Sequence, residues 1–267
     1  MRKQILLPTD FSENAWNACL YALEFFKDVA CDFIILNSFT ALDYQFERTK
    51  VESERGLMRI LRKINSVKNN PNHSFKTVSD YNKFLEAVKS AISQNNIDLV
   101  VMGTRGESNF KGALFGSNAI TAMEKVRNCP ILVIGQECHE VAVQEIVFPT
   151  DYKKSFDKPE LNHLIEMAKM SKASIRILHI EKENELAEQQ LSNKAELESH
   201  FEGIESSFHT LSSMDIATAI NCFVESRESD MVAFMNSKHA FFGSILTQPL
   251  VKEIGYRSKV PILVMHN

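Results

Sequence analysis

The sequence of 267 residues predicts an α/β protein made of two tandem doubly wound domains, each a five-stranded, mostly parallel sheet flanked by helices. Three observations predict it. Short apolar runs alternate with longer helical patterns, the signature of strand–helix–strand units. The strand candidates are near-continuous apolar runs, as expected where helices cover both faces of a sheet. The whole succession then occurs a second time.

The repeat is read from four matches in the same order. Ile5-Leu6-Leu7-Pro8-Thr9-Asp10-Phe11 returns as Ile146-Val147-Phe148-Pro149-Thr150-Asp151-Tyr152. Ser74–Ser79 returns as Ser207–Ser212, Ile97–Met102 as Ser229–Phe234, and Pro130–Ile134 as Pro261–Met265. The offset falls from 141 (5 to 146) to 133 (74 to 207), so the second copy is shorter between those points. A polar stretch from Gly135 to Val143 follows the last apolar run of the first copy. The expected domains are 1–138 and 143–267, each the size of an ordinary single domain.

Within the first copy the apolar runs predict strands near Gln4–Leu7, Phe33–Asn37, Ser74–Val78, Leu99–Met102 and Ile131–Ile134. Helical patterns fall near Glu13–Asp28, Phe46–Lys68, Asn82–Asn95 and Asn118–Val126. Ser12 is placed to cap the first helix. Trp16, Leu20, Leu23 and Lys27 recur at helical spacing and are expected on its inner face. The second copy repeats this order, with a charged helix near Glu183–Glu202 that reads as a solvated face.

Composition narrows the function classes. The formal net charge is -4, and Lys and Arg are interleaved with Glu, so no basic stripe argues for nucleic acid. The apolar run at the N-terminus is three residues long, too short for a signal peptide or a membrane span. A cytoplasmic location and no membrane partner are expected. Cys19, Cys31, Cys129, Cys138 and Cys222 are scattered, and reduced, mostly buried thiols are expected. No two of the eight histidines have zinc-site spacing, so no metal site is expected; His73, His163, His179 and His200 are read as surface or strand-end residues.

One segment carries chemistry. After the fourth strand come Gly103-Thr104-Arg105-Gly106, nine residues, and Gly116-Ser117-Asn118 at the start of a helical pattern. Gly103 and Gly106 let backbone N–H groups approach a ligand closely. Gly116-Ser117 opens a helix whose free N–H groups and dipole favour an anion, with the Ser117 hydroxyl as a further donor. In open parallel sheets ligands sit beyond the C-terminal strand ends, which adds Pro8-Thr9-Asp10 and Met102 to the candidates.

The spacing Gly-x2-Gly-x9-Gly-Ser after Val100-Val101-Met102 resembles the ATP-binding motif of the universal stress protein family. The Pro-Thr-Asp start, the Ile34-Ile35-Leu36 run and the Pro-Ile-Leu-Val final strand extend the resemblance over both copies. It implies an adenine nucleotide α-hydrolase-like fold and an adenine nucleotide as ligand, ATP with or without Mg. It also implies an intramolecular pseudo-dimer or a homodimer, and a stress-response regulator acting on an unidentified protein partner. Carried over, Asp10 and Ser38 line the adenosine pocket, and Gly103, Gly106, Gly116 and Ser117 meet the phosphates. Ser38 departs from the family, which often has an aliphatic residue there.

The second copy departs further, with Met235, Lys238 and Gln248 at the three glycine positions and Pro249 after them. Its nucleotide site is expected to be lost. The run Phe241–Leu246 then either folds onto its own core or forms a contact surface. Two other function classes remain open: a slow ATP hydrolase or phosphotransferase, for which no general base can be named, and a nucleotide-free scaffold. A Gly-x4-Gly-Lys-Ser/Thr loop and a Gly-x-Ser-x-Gly elbow are both absent from the sequence.

Overall fold

The computed structural model describes residues 2–67, 70–104, 116–138, 142–181, 185–212, 214–236 and 260–266. The chain divides into two compact units, Met1–Val141 and Ala142–Asn267.

In the first unit the elements follow one another as β1 (Lys3–Pro8), α1 (Glu13–Phe25), β2 (Cys31–Phe39), α2 (Phe46–Val67), β3 (His73–Tyr81), α3 (Phe84–Asn95), β4 (Leu99–Gly103), α4 (Ser117–Lys125) and β5 (Ile131–Ile134). The strand order is β3-β2-β1-β4-β5, every pair parallel. Parallel strands need crossover helices, and right-handed crossovers put α1 and α2 on one face and α3 and α4 on the other. The packing agrees: α1 lies against β1, β4 and β5, α2 against β2 and β3, and α3 against β1, β2 and α4. The core is the set of strand residues between these layers, with Ile5, Leu6, Phe33, Val100, Ile131 and Leu132 fully buried. Strand order reverses between β1 and β4, so the C-terminal ends of those two strands form a crevice.

Helix α1 begins as expected, the Ser12 hydroxyl accepting from the Ala15 N–H at 3.2 Å. Its inner face differs from the expected stripe. Ala15, Ala18, Cys19, Ala22 and Leu23 are buried, Trp16 and Leu20 are half-buried, and Lys27 lies past the helix end in solvent. Small side chains bring α1 close to the sheet, and a spacing read from large residues alone misses them. Trp16 instead sits at the seam with α2, where the Lys63 ammonium lies 5.1 Å from its ring centroid. Helix α3 starts two residues later than expected, after Lys83.

The second unit comprises β6 (Glu145–Pro149), α5 (Lys158–Ser171), β7 (Ser174–Glu181), α6 (Glu188–His200), β8 (Ser206–Ser212), α7 (Ile216–Arg227), β9 (Met231–Asn236) and β10 (Ile262–His266). The strands run in the order β8-β7-β6-β9-β10, again all parallel. The charged helix opens at Glu188; Glu183 lies outside the described residues.

Equivalent bonds recur within each unit, position by position. Thr9 N–H donates to Leu36 O at 2.8 Å, and Thr150 N–H to Leu178 O at 2.9 Å. Asp98 accepts from the Gln4 N–H and Asp230 from the Glu145 N–H, at 2.7 and 2.9 Å. The residue after the Pro-Thr-Asp triplet is left-handed in both, Phe11 at φ 68 and Tyr152 at φ 57. A bulky residue in this region is strained. Its presence in both units makes it part of the turn that leaves the first strand.

At the N-terminal end of the second sheet, Glu145 is the hub of an ion network. Arg227 grips both its oxygens at 2.8 Å, Arg176 donates to Oε2 at 2.7 Å and Ser229 to Oε1 at 2.7 Å. Burial pushes this carboxyl up, but the Arg227, Arg176 and Ser229 hydrogen bonds outweigh it and hold the pKa at about 2.

Candidate functional site

The first wall of the crevice is the turn after β1. Asn37 Nδ2, from β2, donates to the Thr9 carbonyl at 2.7 Å, and Thr9 Oγ1 accepts from the Phe11 N–H at 3.0 Å. Asp10 Oδ1 accepts from the Ser12 N–H at 3.1 Å and from the Ser12 hydroxyl at 2.6 Å. That same hydroxyl caps α1, so Asp10 is fixed by the helix start. The ring of Phe11 packs on Gly56 of α2, where a Cβ would land on the ring itself.

The second wall is the end of β4. Gly103 is buried, and a Cβ there would stand 2.9 Å from the carbonyl oxygen of Asn14 in α1. The close approach of a helix backbone therefore demands this glycine, in addition to any ligand. Asn14 Nδ2 donates to Thr104 Oγ1 at 3.1 Å, Thr104 N–H to Ile134 O at 2.9 Å, and Gly116 N–H to Thr104 O at 2.7 Å. These bonds pin the start of α4 beside the end of β4.

Gly116 is the N-cap of α4, extended at φ -69 and ψ 159, with no side chain closing the cap. Its φ is one any residue adopts, so what glycine supplies here is the absence of a side chain over the helix end. Among the described residues no side chain accepts from the N–H groups of the first turn, an arrangement that suits an anion. Ser117 and Asn118 are exposed on that turn.

Together these walls enclose a cleft of about 310 Å³, within the range of small-molecule sites. The predicted residues Pro8, Thr9, Asp10, Ser38, Met102, Gly103, Gly116, Ser117 and Asn118 all line it. Gly106 lies outside the described residues. Asn37, Phe84 and Thr104 also line the cleft and were not singled out from the sequence, nor was Asn14, which braces it. Phase in the first helix is the signal that could have found Asn14, one turn from Ala18 on the buried side. Cys19 lies beneath this wall, but burial pushes its thiol up to about 12, so it stays protonated.

In the second unit different residues hold the same positions. Val232 N–H bonds Pro261 O as Val100 N–H bonds Pro130 O, which puts Met235 at the Gly103 position and Asn236 at the Thr104 position; both are buried. His179 stands where Asn37 stands and makes the same bond, its Nδ1 lying 3.0 Å from Thr150 O. It is buried inside β7, not a surface or strand-end residue as expected, because the imidazole satisfies a buried carbonyl and stacks on Tyr152 with centroids 4.9 Å apart. Asn193 from α6 donates to the Tyr152 carbonyl at 2.7 Å. Lys238, Phe241–Leu246, Gln248 and Pro249 lie outside the described residues.

A family model described as the universal stress protein family matches residues 1–135. The fold recurs over the full chain in a solved universal stress protein from Archaeoglobus fulgidus DSM 4304. It has a TM-score of 0.73 and 20% sequence identity, covering 99% of this chain and 96% of that one. A functionally unknown protein from Pseudomonas aeruginosa PAO1 has a TM-score of 0.63 and 11% identity, covering 99% and 92%. No curated protein matches the sequence. No helix among the described residues is long and apolar enough to cross a membrane.

Proposed function

The chain belongs to the universal stress protein family, and from that premise we propose that it binds an adenine nucleotide, ATP, in the first unit and acts as a regulator through protein contacts. The observation that carries the reading is the uncapped N-terminus of α4 opening onto a cleft at the strand-order reversal. The fit is chemical as well as spatial. Backbone N–H groups of Ser117, Asn118 and Ala119, with the Ser117 hydroxyl, suit phosphate oxygens. On the far side of β1, Ser38 and Phe84 offer a hydroxyl and an aromatic edge to a nucleoside. Asp10 places a carboxylate between them, suited to a ribose hydroxyl.

The second unit is proposed to be structural. Met235 stands at its Gly103 position, and Tyr152 and His179 are stacked where the first unit presents Asn37. Hydrolysis is disfavoured, because the one described carboxylate on the cleft wall, Asp10, is already engaged with the start of α1.

Equilibrium dialysis of the full chain against ATP, ADP, AMP and cyclic AMP tests the reading. The expected result is saturable ATP binding that Ser117→Pro weakens sharply. Proline is tolerated at the first helical position and removes only an N–H and the hydroxyl. Absence of binding by any of the four, with the protein folded, would leave a nucleotide-free scaffold as the better account.

A further inference from the structure

Helix α2 turns Ser53, Gly56, Leu57, Ile60 and Ile64 toward the sheet. Its outward face carries Val51 and Met58, 38% and 49% exposed, with Arg55, Arg59 and Arg62. Those arginines recur at i, i+4 and i+7, one above another along the helix. None makes an ion pair or hydrogen bond among the described residues, whereas Arg48 on the same helix is paired with Glu52 at 2.9 Å. Like charges at this spacing repel, and among the described residues no ion pair to any of the three offsets this.

Helix α6 holds the corresponding place in the second unit and has the opposite character. It buries Asn193 and Leu197 and turns Lys194 inward over Phe208. Outward it shows Leu191, 54% exposed, and Ala195, with Glu188 and Glu198, and Glu202 follows exposed in the turn after the helix. These glutamates also have no ionic partner among the described residues. Each helix thus presents a short apolar seam between charges, basic on one and acidic on the other.

We propose that α2 of one copy docks on α6 of a second copy of this chain, Arg55, Arg59 and Arg62 meeting Glu188, Glu198 and Glu202 around the Val51–Met58 and Leu191–Ala195 seams. The charge complementarity selects the occupant: every copy carries both halves, so a second copy supplies each face with its complement. Exposed ion pairs each add little, so the association is weak and depends on salt.

Sedimentation velocity of the full chain at about 50 mM and about 500 mM salt reads this directly. A reversible dimer at low salt, weakened at least about tenfold at high salt, is expected. The triple variant Arg55→Glu, Arg59→Glu, Arg62→Glu and the triple variant Glu188→Arg, Glu198→Arg, Glu202→Arg are each expected to be monomeric. An equimolar mixture of the two restores complementarity between copies and is expected to dimerise again. Circular dichroism establishes that each variant folds. A wild type that is monomeric at both salts, a dimer untouched by either variant, or a mixture that stays monomeric would overturn the proposal. So would a monomeric wild type that binds polyglutamate or RNA through the arginines, since that would make the occupant a foreign anion.

Discussion

Replacing Gly116 by Asp separates helix stability from anion binding, because the two respond with opposite sign. Gly116 already has the backbone of an N-cap, and Asp at that position accepts from the N–H groups of the first helical turn. The gain over glycine is a few tenths of a kcal/mol, and the helix dipole adds about 0.3–1 kcal/mol. The unliganded protein should therefore melt at the same temperature or slightly higher. For a phosphate the same carboxylate is a competitor and a like charge. At ~4 Å and an effective dielectric of ~20 the repulsion is about 4 kcal/mol; halved for solvent, it lowers affinity about thirtyfold. With Mg-ATP at ~100 times its dissociation constant, the wild type gains about 2.7 kcal/mol, or roughly 8 °C in a unit of this size. The variant should gain no more than about 3 °C. A well-folded Gly116→Asp protein with the full wild-type shift would refute the assignment of the phosphates to α4.

Other consequences follow from particular contacts. Gly103→Ala sets a Cβ against the Asn14 carbonyl at 2.9 Å, and chemical denaturation without any nucleotide should show a loss of about 1–3 kcal/mol; an unchanged midpoint would mean α1 is not held there. Asn37→His should be nearly neutral to thermal melting, since His179 makes the equivalent bond in the second unit, whereas Asn37→Leu strands the Thr9 carbonyl and should lower stability by about 1–3 kcal/mol. Glu145 is held at about 2, below its ordinary 4.5, so its stabilisation is complete above pH 4.5 and is lost as the pH falls through about 2. Glu145→Gln should therefore be about 2 kcal/mol less stable than wild type at neutral pH, after allowance for solvent at Arg227. The difference should vanish near pH 2; a gap independent of pH would remove the ion network as its source.

What the sequence disclosed was the part of the fold governed by local pattern. Ile34-Ile35-Leu36 and Leu99-Val100-Val101 read as strands because burial on both faces leaves no polar positions. The cleft was legible through Pro8-Thr9-Asp10 and Gly116-Ser117 because strand ends and helix starts leave punctuation in the chain. What stayed hidden depends on contacts between distant positions. Gly103 stands out by spacing, yet the reason it is glycine lies in Asn14, 89 residues earlier in the chain (103 against 14). Asn37 and His179 do one job with different chemistry, which becomes visible only once strand register aligns Leu36 with Leu178. The inner face of α1 was misjudged because alanines, not Trp16 or Leu20, let it approach the sheet. In the sequence the arginines of α2 read as interleaved charge; that three of them have no ion pair among the described residues is a property of the folded surface.

Isothermal titration of the full chain with Mg-ATP tests the central claim most directly, because it measures stoichiometry as well as affinity. One site per chain, weakened sharply by Ser117→Pro, is the predicted result. Two equivalent sites per chain, or a single site whose affinity that substitution leaves unchanged, would contradict the assignment of the nucleotide to the first unit and of a structural role to the second.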